Sequence, residues 1–170
     1  MNRAKTWTLA LTASVLVLAP VFGAPKEKKL DVDLDLSPSN WALGIFLGEP
    51  TGITVQLDIA EAQALELKAA WNFVAAGQNE GGNVTLQGNY VLWFPGLLAI
   101  SGQDIPPFAG IGVEARFGAD FLLGLHIPFG VRYRFKEAPI ELALELGAGM
   151  SLIPATAFMG SGGLAIRWML

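Results

Sequence analysis

The residues best suited to chemistry are ten charged side chains between positions 58 and 167, each flanked on both sides by apolar or aromatic residues. Because successive side chains of a β-strand point to opposite faces, this spacing gathers the charges on one face and their neighbours on the other. Five are anions and five are cations: Asp58, Glu66, Glu114, Glu141, Glu145 and Lys68, Arg116, Arg132, Arg134, Arg167. Such a set could form an ion path, a ligand site or a structural plug. Because the two signs match in number, we expect five ion pairs that fill a closed interior.

His126, Ser161 and a nearby glutamate are the residue types that a serine hydrolase uses, and a lipid-modifying hydrolase is one candidate function. The alternation places His126 on the charged face, and no nucleophile motif surrounds Ser161. We therefore expect a protein that is not an enzyme.

Metal chemistry has little support in the sequence. The chain has no cysteine and a single histidine, so neither thiolate nor His-rich sites are available. Asp31, Asp33 and Asp35 resemble the start of a calcium loop, but Leu36 occupies the position that needs glycine and Ala42 the position that needs glutamate. We expect no cofactor and no metal, and interpret residues 24–39 as a polar N-terminal linker.

The elements that would carry these residues are strands. In residues 139–150, reading PIELALELGAGM, one face is wholly apolar and the other mixes glutamate with glycine. Residues 60–70 have helix-forming composition, but their period of two favours a strand. Eight such segments follow one another: 40–48, 52–60, 64–74, 83–94, 107–117, 122–135, 139–150 and 158–170. Pro128 predicts a bulge or kink in the sixth segment, and 95–106 is the longest connection.

On these registers no charged residue lies on an apolar strand face. The remaining charges after residue 40 fall in turns: Glu49, Glu61, Glu80, Asp104, Asp120, Lys136 and Glu137. Aromatic residues cluster near strand ends, as interfacial girdles do: Trp41, Trp71, Phe73, Phe94, Phe117, Tyr133, Phe135 and Trp168.

The composition favours a membrane barrel. The chain is 52% hydrophobic and only 15% charged, and beyond the N-terminal leader it has no apolar run of the ~20 residues that a membrane helix needs. A closed barrel is the other structure that satisfies every backbone group in lipid. We therefore predict an all-β, eight-stranded antiparallel transmembrane β-barrel over residues 40–170. The alternative is a soluble periplasmic barrel of lipocalin type, with the apolar face turned inward around an apolar ligand.

The N-terminus, residues 1–23, has the pattern of a secretory signal peptide. Arg3 and Lys5 precede the apolar stretch 9–19, and Val21 and Gly23 are small residues that suit cleavage before Ala24. Loss of the two basic residues would leave 9 basic and 15 acidic residues, a net charge of −6. This balance argues against nucleic acid as a partner.

The alternating strands and the turn Gly48-Glu49-Pro50-Thr51-Gly52 together resemble small outer-membrane β-barrels of Gram-negative bacteria, of the OmpA, OmpX and OmpW type. The likeness is closer to a family of short barrels that carries this turn after its first strand, with further similarity at 106–112 and in the final strand. Such barrels usually end in an aromatic residue, whereas residues 168–170 read WML.

The resemblance implies an outer-membrane location, a monomer, lipids and the barrel-assembly machinery as partners, and a task that is structural or involves a small apolar solute. It places the loops 49–52, 75–82, 118–121 and 151–157 outside the cell. The hydrophobic loop 151–157 would edge an apolar ligand site of the OmpW kind.

Overall fold

The computed structural model describes residues 37–71, 83–118 and 120–170. The expected signal peptide, the aspartates of the calcium-like stretch, most of the linker 24–39 and the loop 75–82 lie outside these residues, as does Phe73. No helix in the described part is long and apolar enough to cross a membrane.

The fold is a closed barrel of eight antiparallel strands, with one short 3-10 turn, Pro38–Asn40, before the first strand. A separate two-stranded hairpin lies in the connection between the fourth and fifth barrel strands. The strands are β1 (Trp41–Glu49), β2 (Thr51–Ala60), β3 (Gln63–Trp71), β4 (Val84–Trp93), β5 (Ala99–Ile100), β6 (Gln103–Asp104), β7 (Pro107–Phe117), β8 (Leu122–Arg134), β9 (Ile140–Ile153) and β10 (Ala157–Met169). The barrel order is β1-β10-β9-β8-β7-β4-β3-β2, and β2 pairs with β1 to close it.

The prediction of an all-β barrel with eight antiparallel strands is confirmed. Each expected segment overlaps one barrel strand, and their ends differ by a few residues at most. The stretch with helical composition forms β3, because its alternation buries Ala64, Glu66, Lys68 and Ala70 on one side and leaves Leu65 and Leu67 on the other. The period of two outweighs intrinsic helix propensity here, since pairing with β2 and β4 satisfies the whole backbone.

Two expectations about strand ends were wrong, and of the bulge or kink expected at Pro128 the register excludes the bulge. Pro128 causes no bulge, because the β7–β8 register is the same on both sides of it, with Ala109 opposite Phe129 and Gly112 opposite His126. The two residue pairs that would lie between Ala109–Phe129 and Gly112–His126 are absent from the ladder. This is expected because proline cannot donate a backbone hydrogen bond. The register shifts instead at Leu123/Gly124 against β9.

Both corrections concern strand ends. β1 extends to Glu49, which pairs with Gly162 and is exposed on the outward side, so this charge is not confined to a turn. Asp104, also expected in a turn, lies in β6. β9 and β10 extend into the expected loop 151–157 and leave only residues 154–156 between them.

The barrel has two distinguishable ends. The end that carries Trp41, Pro107, Ile140 and Met169 is called the terminal end here, and the other, which carries Glu49 and Phe117, is called the distal end. Because β4 finishes and β7 starts at the terminal end, the β5–β6 hairpin lies there too.

Candidate functional site in the barrel lumen

The lumen carries the ten charged side chains that the sequence singles out. Seven of them are almost fully buried, whereas Asp58, Arg116 and Arg134 remain partly exposed. They alternate along their strands with apolar residues that face outward. The period of two thus brings together residues from six of the eight strands.

Glu141 on β9 is the centre of these contacts. It accepts a hydrogen bond at 2.8 Å from Arg167 Nη1 and one at 2.7 Å from Arg134 Nε, and it pairs with Arg132. Its side chain is fully buried. Three guanidinium groups around one carboxylate make Glu141 the most heavily paired group in the barrel, and bonds to charged partners are the strong class of hydrogen bond.

The contacts spread from Glu141 to both sides. Arg134 Nη2 donates to Asp58 Oδ2 at 2.7 Å, and Arg167 Nη2 lies 3.0 Å from Glu66 Oε1. Lys68 pairs with Glu66 at 2.8 Å and also with Glu145. We call this connected set the ion-pair network: Asp58, Glu66, Lys68, Arg132, Arg134, Glu141, Glu145 and Arg167.

The contacts among these ten residues are not one-to-one, although five anions face five cations as expected. Eight residues, four of each sign, form one network, and only Arg116 and Glu114 form a pair apart from it, at 2.8 Å. The sequence alternation predicts the charge of each residue and the strand face on which it lies. Which residues pair depends on which strands lie opposite one another across the lumen. Lys68 on β3, for example, reaches Glu145 on β9.

Neutral side chains complete the packing of the network. Trp93 lies under two guanidinium groups, with its ring centroid 3.9 Å from Arg132 Cζ and 5.5 Å from Arg134 Cζ. The ring of Phe46 lies 4.5 Å from Lys68 Nζ. Both contacts have the geometry of cation–π interactions. Trp93 and Phe46 also belong to the buried apolar cluster of the lumen.

Little space remains inside the network. The cavity between Glu66, Arg132, Glu141 and Arg167 offers about 10 Å³ to the centre of a water molecule. A single water needs about 10–15 Å³ by this measure. The lumen at this level therefore has room for one water at most.

His126 is the centre of a second group, nearer the distal end. Its Nε2 lies 3.0 Å from Ser161 Oγ and its Nδ1 lies 3.3 Å from Asn89 Oδ1. We call these three residues the histidine cluster. If Nδ1 carries the proton, it donates to the amide oxygen of Asn89 and Nε2 is free to accept from the serine hydroxyl, which is the hydrogen-bond order of a nucleophile, base and orienting group.

Two glycines make room for the histidine cluster. A Cβ at Gly147 would lie 2.1 Å from His126 Nε2 and 2.2 Å from Ser161 Oγ, and one at Gly112 would lie 2.1 Å from Asn89 Oδ1. The sequence pairs His126 with Ser161 by residue type, but Asn89 carries no signal that would link it to them. Its role follows from the pairing of β4 with β7, which sets Asn89 opposite Gly112, and Gly112 opposite His126.

The outer face of the barrel is apolar. Large hydrophobic side chains are exposed along every barrel strand, including Leu67 at 63% and Leu144 at 57% of full exposure. Within the described residues of the barrel strands, Glu49 is the one charged side chain on this side, and it is the last residue of β1. Aromatic side chains lie near both ends, with Trp41 and Trp168 at the terminal end and Trp71 and Phe117 at the distal end.

Neither a metal site nor a relative adds to this picture. In the described part of the chain, no group of three or more His, Asp or Glu side chains is arranged to hold a metal ion. Comparison with family models, with curated proteins and with solved structures finds no match.

Proposed function

We propose that the protein is a monomeric outer-membrane β-barrel, exported by its N-terminal signal and folded by the barrel-assembly machinery, and that it is not an enzyme. Its lumen is a plug, and its task is structural or consists in binding or passing a small apolar solute along its surface. The observation that carries the proposal is the sorting of side chains, with ten charges in the lumen and exposed apolar residues around the outside.

The energetics of burial support a lipid environment. A charge on the lipid-facing side of a barrel costs about 2–4 kcal/mol at the middle of a bilayer and little near its surface. Glu49, the outward charge of the barrel strands within the described residues, stands at a strand end, where the cost is small. The strands have 9 to 14 residues, and about 9–11 tilted residues cross a bilayer. The inverted alternation of a lipocalin-like barrel would instead turn Leu67 and Leu144 inward.

A groove on the outer face supports the part of the proposal that concerns a small apolar solute. Gly88 leaves a gap between Leu67 and Val113, with which it pairs on the neighbouring strands. An apolar groove of about 460 Å³ surrounds this gap. An acyl chain or a similar apolar body would fill the groove without exposing a polar group of the barrel.

The test of location is gel mobility with membrane fractionation. We expect the protein in the outer-membrane fraction, migrating faster unheated than after boiling, because a detergent-resistant barrel is more compact than its unfolded chain. A soluble periplasmic protein with no mobility shift would refute the membrane proposal.

The plug is tested separately by conductance. We expect no steady current from the purified barrel in a planar bilayer, because the cavity between Glu66, Arg132, Glu141 and Arg167 offers only about 10 Å³. Steady single-channel steps from the pure protein would show that the lumen conducts, and the plug would then be rejected while the membrane location would stand.

Hydrolysis of an ester is a second candidate function, favoured by one observation, the hydrogen-bonded order of Ser161, His126 and Asn89. Against it stands the burial of His126, which is 1% exposed. A serine-reactive fluorophosphonate probe decides between the two candidates. We expect no labelling, and labelling that disappears in both Ser161→Ala and His126→Ala would establish the hydrolase.

A further inference from the structure

The terminal end of the barrel contains a cavity that no sequence motif indicates. Its volume is about 680 Å³, and it lies between the connection that carries the β5–β6 hairpin and the turn between β8 and β9. We call it the vestibule. Its size falls within the range of about 300–1,000 Å³ that is usual for sites of small ligands.

The floor of the vestibule is the ion-pair network. Trp93, Arg132 and Arg134 line the vestibule and also belong to or pack against that network. The space beyond Arg132, between Glu66 and Glu141, has room for one water at most. The vestibule is therefore a blind pocket, so a molecule that enters from the terminal end stops at Trp93 and the two arginines.

The walls are held by backbone hydrogen bonds. Phe94 N donates to Pro107 O at 2.9 Å, Ile105 N to Leu98 O at 2.8 Å and Arg132 N to Pro106 O at 3.1 Å. The carboxylate of Asp104 accepts from Gly96 N at 3.0 Å and 3.2 Å. These contacts tie the hairpin connection to the barrel, so the vestibule exists before a ligand arrives, and a preformed site loses less free energy on binding.

The charges that face the vestibule favour an anion. Three cations and two anions line it: Arg132, Arg134, Lys136, Asp104 and Glu137. One cation and one anion are already engaged, Arg132 by Glu141 and Asp104 by Gly96. Arg134 uses Nε for Glu141 and Nη2 for Asp58, which leaves Nη1 available, and its side chain is 32% exposed. Lys136 is exposed on the rim and has no ion pair with any residue in the described part of the chain.

The lining also includes aromatic and proline residues: Trp93, Tyr133, Phe135, Pro95 and Pro106. The ring of Trp93 lies in the lumen, against Arg132 and Arg134. Tyr133 and Phe135 pack edge to face with centroids 4.8 Å apart. Aromatic walls with a few placed polar groups are typical of sites that orient a small organic ligand.

We propose that the vestibule binds a small organic anion that carries a carboxylate or phosphate on a flat apolar body, with Arg134 and Lys136 holding the acid group and Trp93 contacting the apolar body. This site goes beyond the proposed function. It depends on the barrel and its hairpin connection, and it would exist equally in a soluble barrel.

The experiment is calorimetric titration of the folded full-length protein with four probes of one shape: 2-naphthoate, 2-naphthyl phosphate, neutral 2-naphthalenemethanol and cationic 2-naphthylmethylamine. We expect both anions to bind at least tenfold more tightly than the neutral and cationic probes. In NMR spectra of the same samples, the indole N–H of Trp93 should shift on addition of the anions, and Trp93→Phe assigns that signal.

Variants on the rim supply the matched controls. Lys136→Gln should weaken binding of both anions about two- to fivefold, as expected for loss of one exposed ion pair, and Lys136→Arg should restore it. Glu137→Gln, one residue along the same turn, removes a competing anion and should leave binding unchanged or tighter. Equal affinity for all four probes, an unchanged affinity in Lys136→Gln or an unshifted Trp93 signal would each overturn the proposal, whatever the location of the protein.

Discussion

The outer face and the lumen of the barrel are made by alternate residues of the same strands, yet they depend on different physics. On the outer face, Leu67, Leu144 and their neighbours touch few other residues of the barrel, and each is interchangeable with another apolar side chain. In the lumen, Glu141 pairs with three arginines, and a neutral side chain could not balance their charges. The outer face therefore determines which surroundings suit the barrel, whereas the lumen determines which arrangement of strands is stable.

The sharpest test of this comparison is Glu141→Gln, which leaves Arg132, Arg134 and Arg167 without their shared carboxylate. We expect the free energy of unfolding to fall by about 3–5 kcal/mol, because buried charges lose their compensation. Urea titration of the protein refolded in lipid vesicles measures it. The control is Glu114→Gln, which affects one partly exposed arginine and one neutral partner, Gln87, and should cost clearly less. Equal losses would mean that the lumen consists of independent pairs.

The outer face is tested by Leu67→Arg in the middle of β3, matched with Leu97→Arg. Leu97 is 70% exposed and lies in the connection between β4 and β7, off the barrel wall. If lipid covers the outer face, we expect Leu67→Arg to cost about 2–4 kcal/mol of unfolding free energy and Leu97→Arg nearly nothing. If both substitutions are equally mild, the outer face is in contact with water. Lipid would then not explain why the outer face differs from the lumen.

The smallest expected effect concerns glycines on the two faces. Gly147→Ala places a Cβ within 2.2 Å of both His126 and Ser161, so we expect a loss of about 1–3 kcal/mol from overpacking. Gly160→Ala on the outer side of β10 has its nearest neighbour at 3.6 Å and should change stability little. Thermal or urea unfolding of the two variants in the same vesicles measures the difference. A neutral Gly147→Ala would show that the histidine cluster can relax.

Much of the fold was predictable because side-chain direction in a strand depends only on the parity of the residue number. The parity of Glu66 and Lys68 within β3, and of Glu141 and Glu145 within β9, places them in the lumen without any knowledge of their partners. The partners were not predictable, because the pairing of Lys68 with Glu145 depends on how the barrel brings distant strands face to face. Asn89 was missed for the same reason.

The connection between β4 and β7 shows a different limit. Residues 95–106 have no alternation long enough to indicate strands, and β5 and β6 contain two residues each. The turn between them needs a positive φ at Ser101 and Gly102, and the hairpin is fixed by the bond from Gly96 to Asp104. Such features depend on single residues rather than on a repeated pattern. The vestibule therefore could not be predicted from the sequence.

The pairing of β1 with β10 has a consequence for the order of events during folding. Seven of the eight strand pairings join neighbours along the barrel sequence, whereas the eighth joins Ala42 to Met169 and must wait for β10. Contacts between residues so far apart form slowly, since a long loop has to be closed first. Until that last step, β1 and β10 expose unpaired N–H and C=O groups along their whole length. The chain is then most prone to pair with another copy of itself.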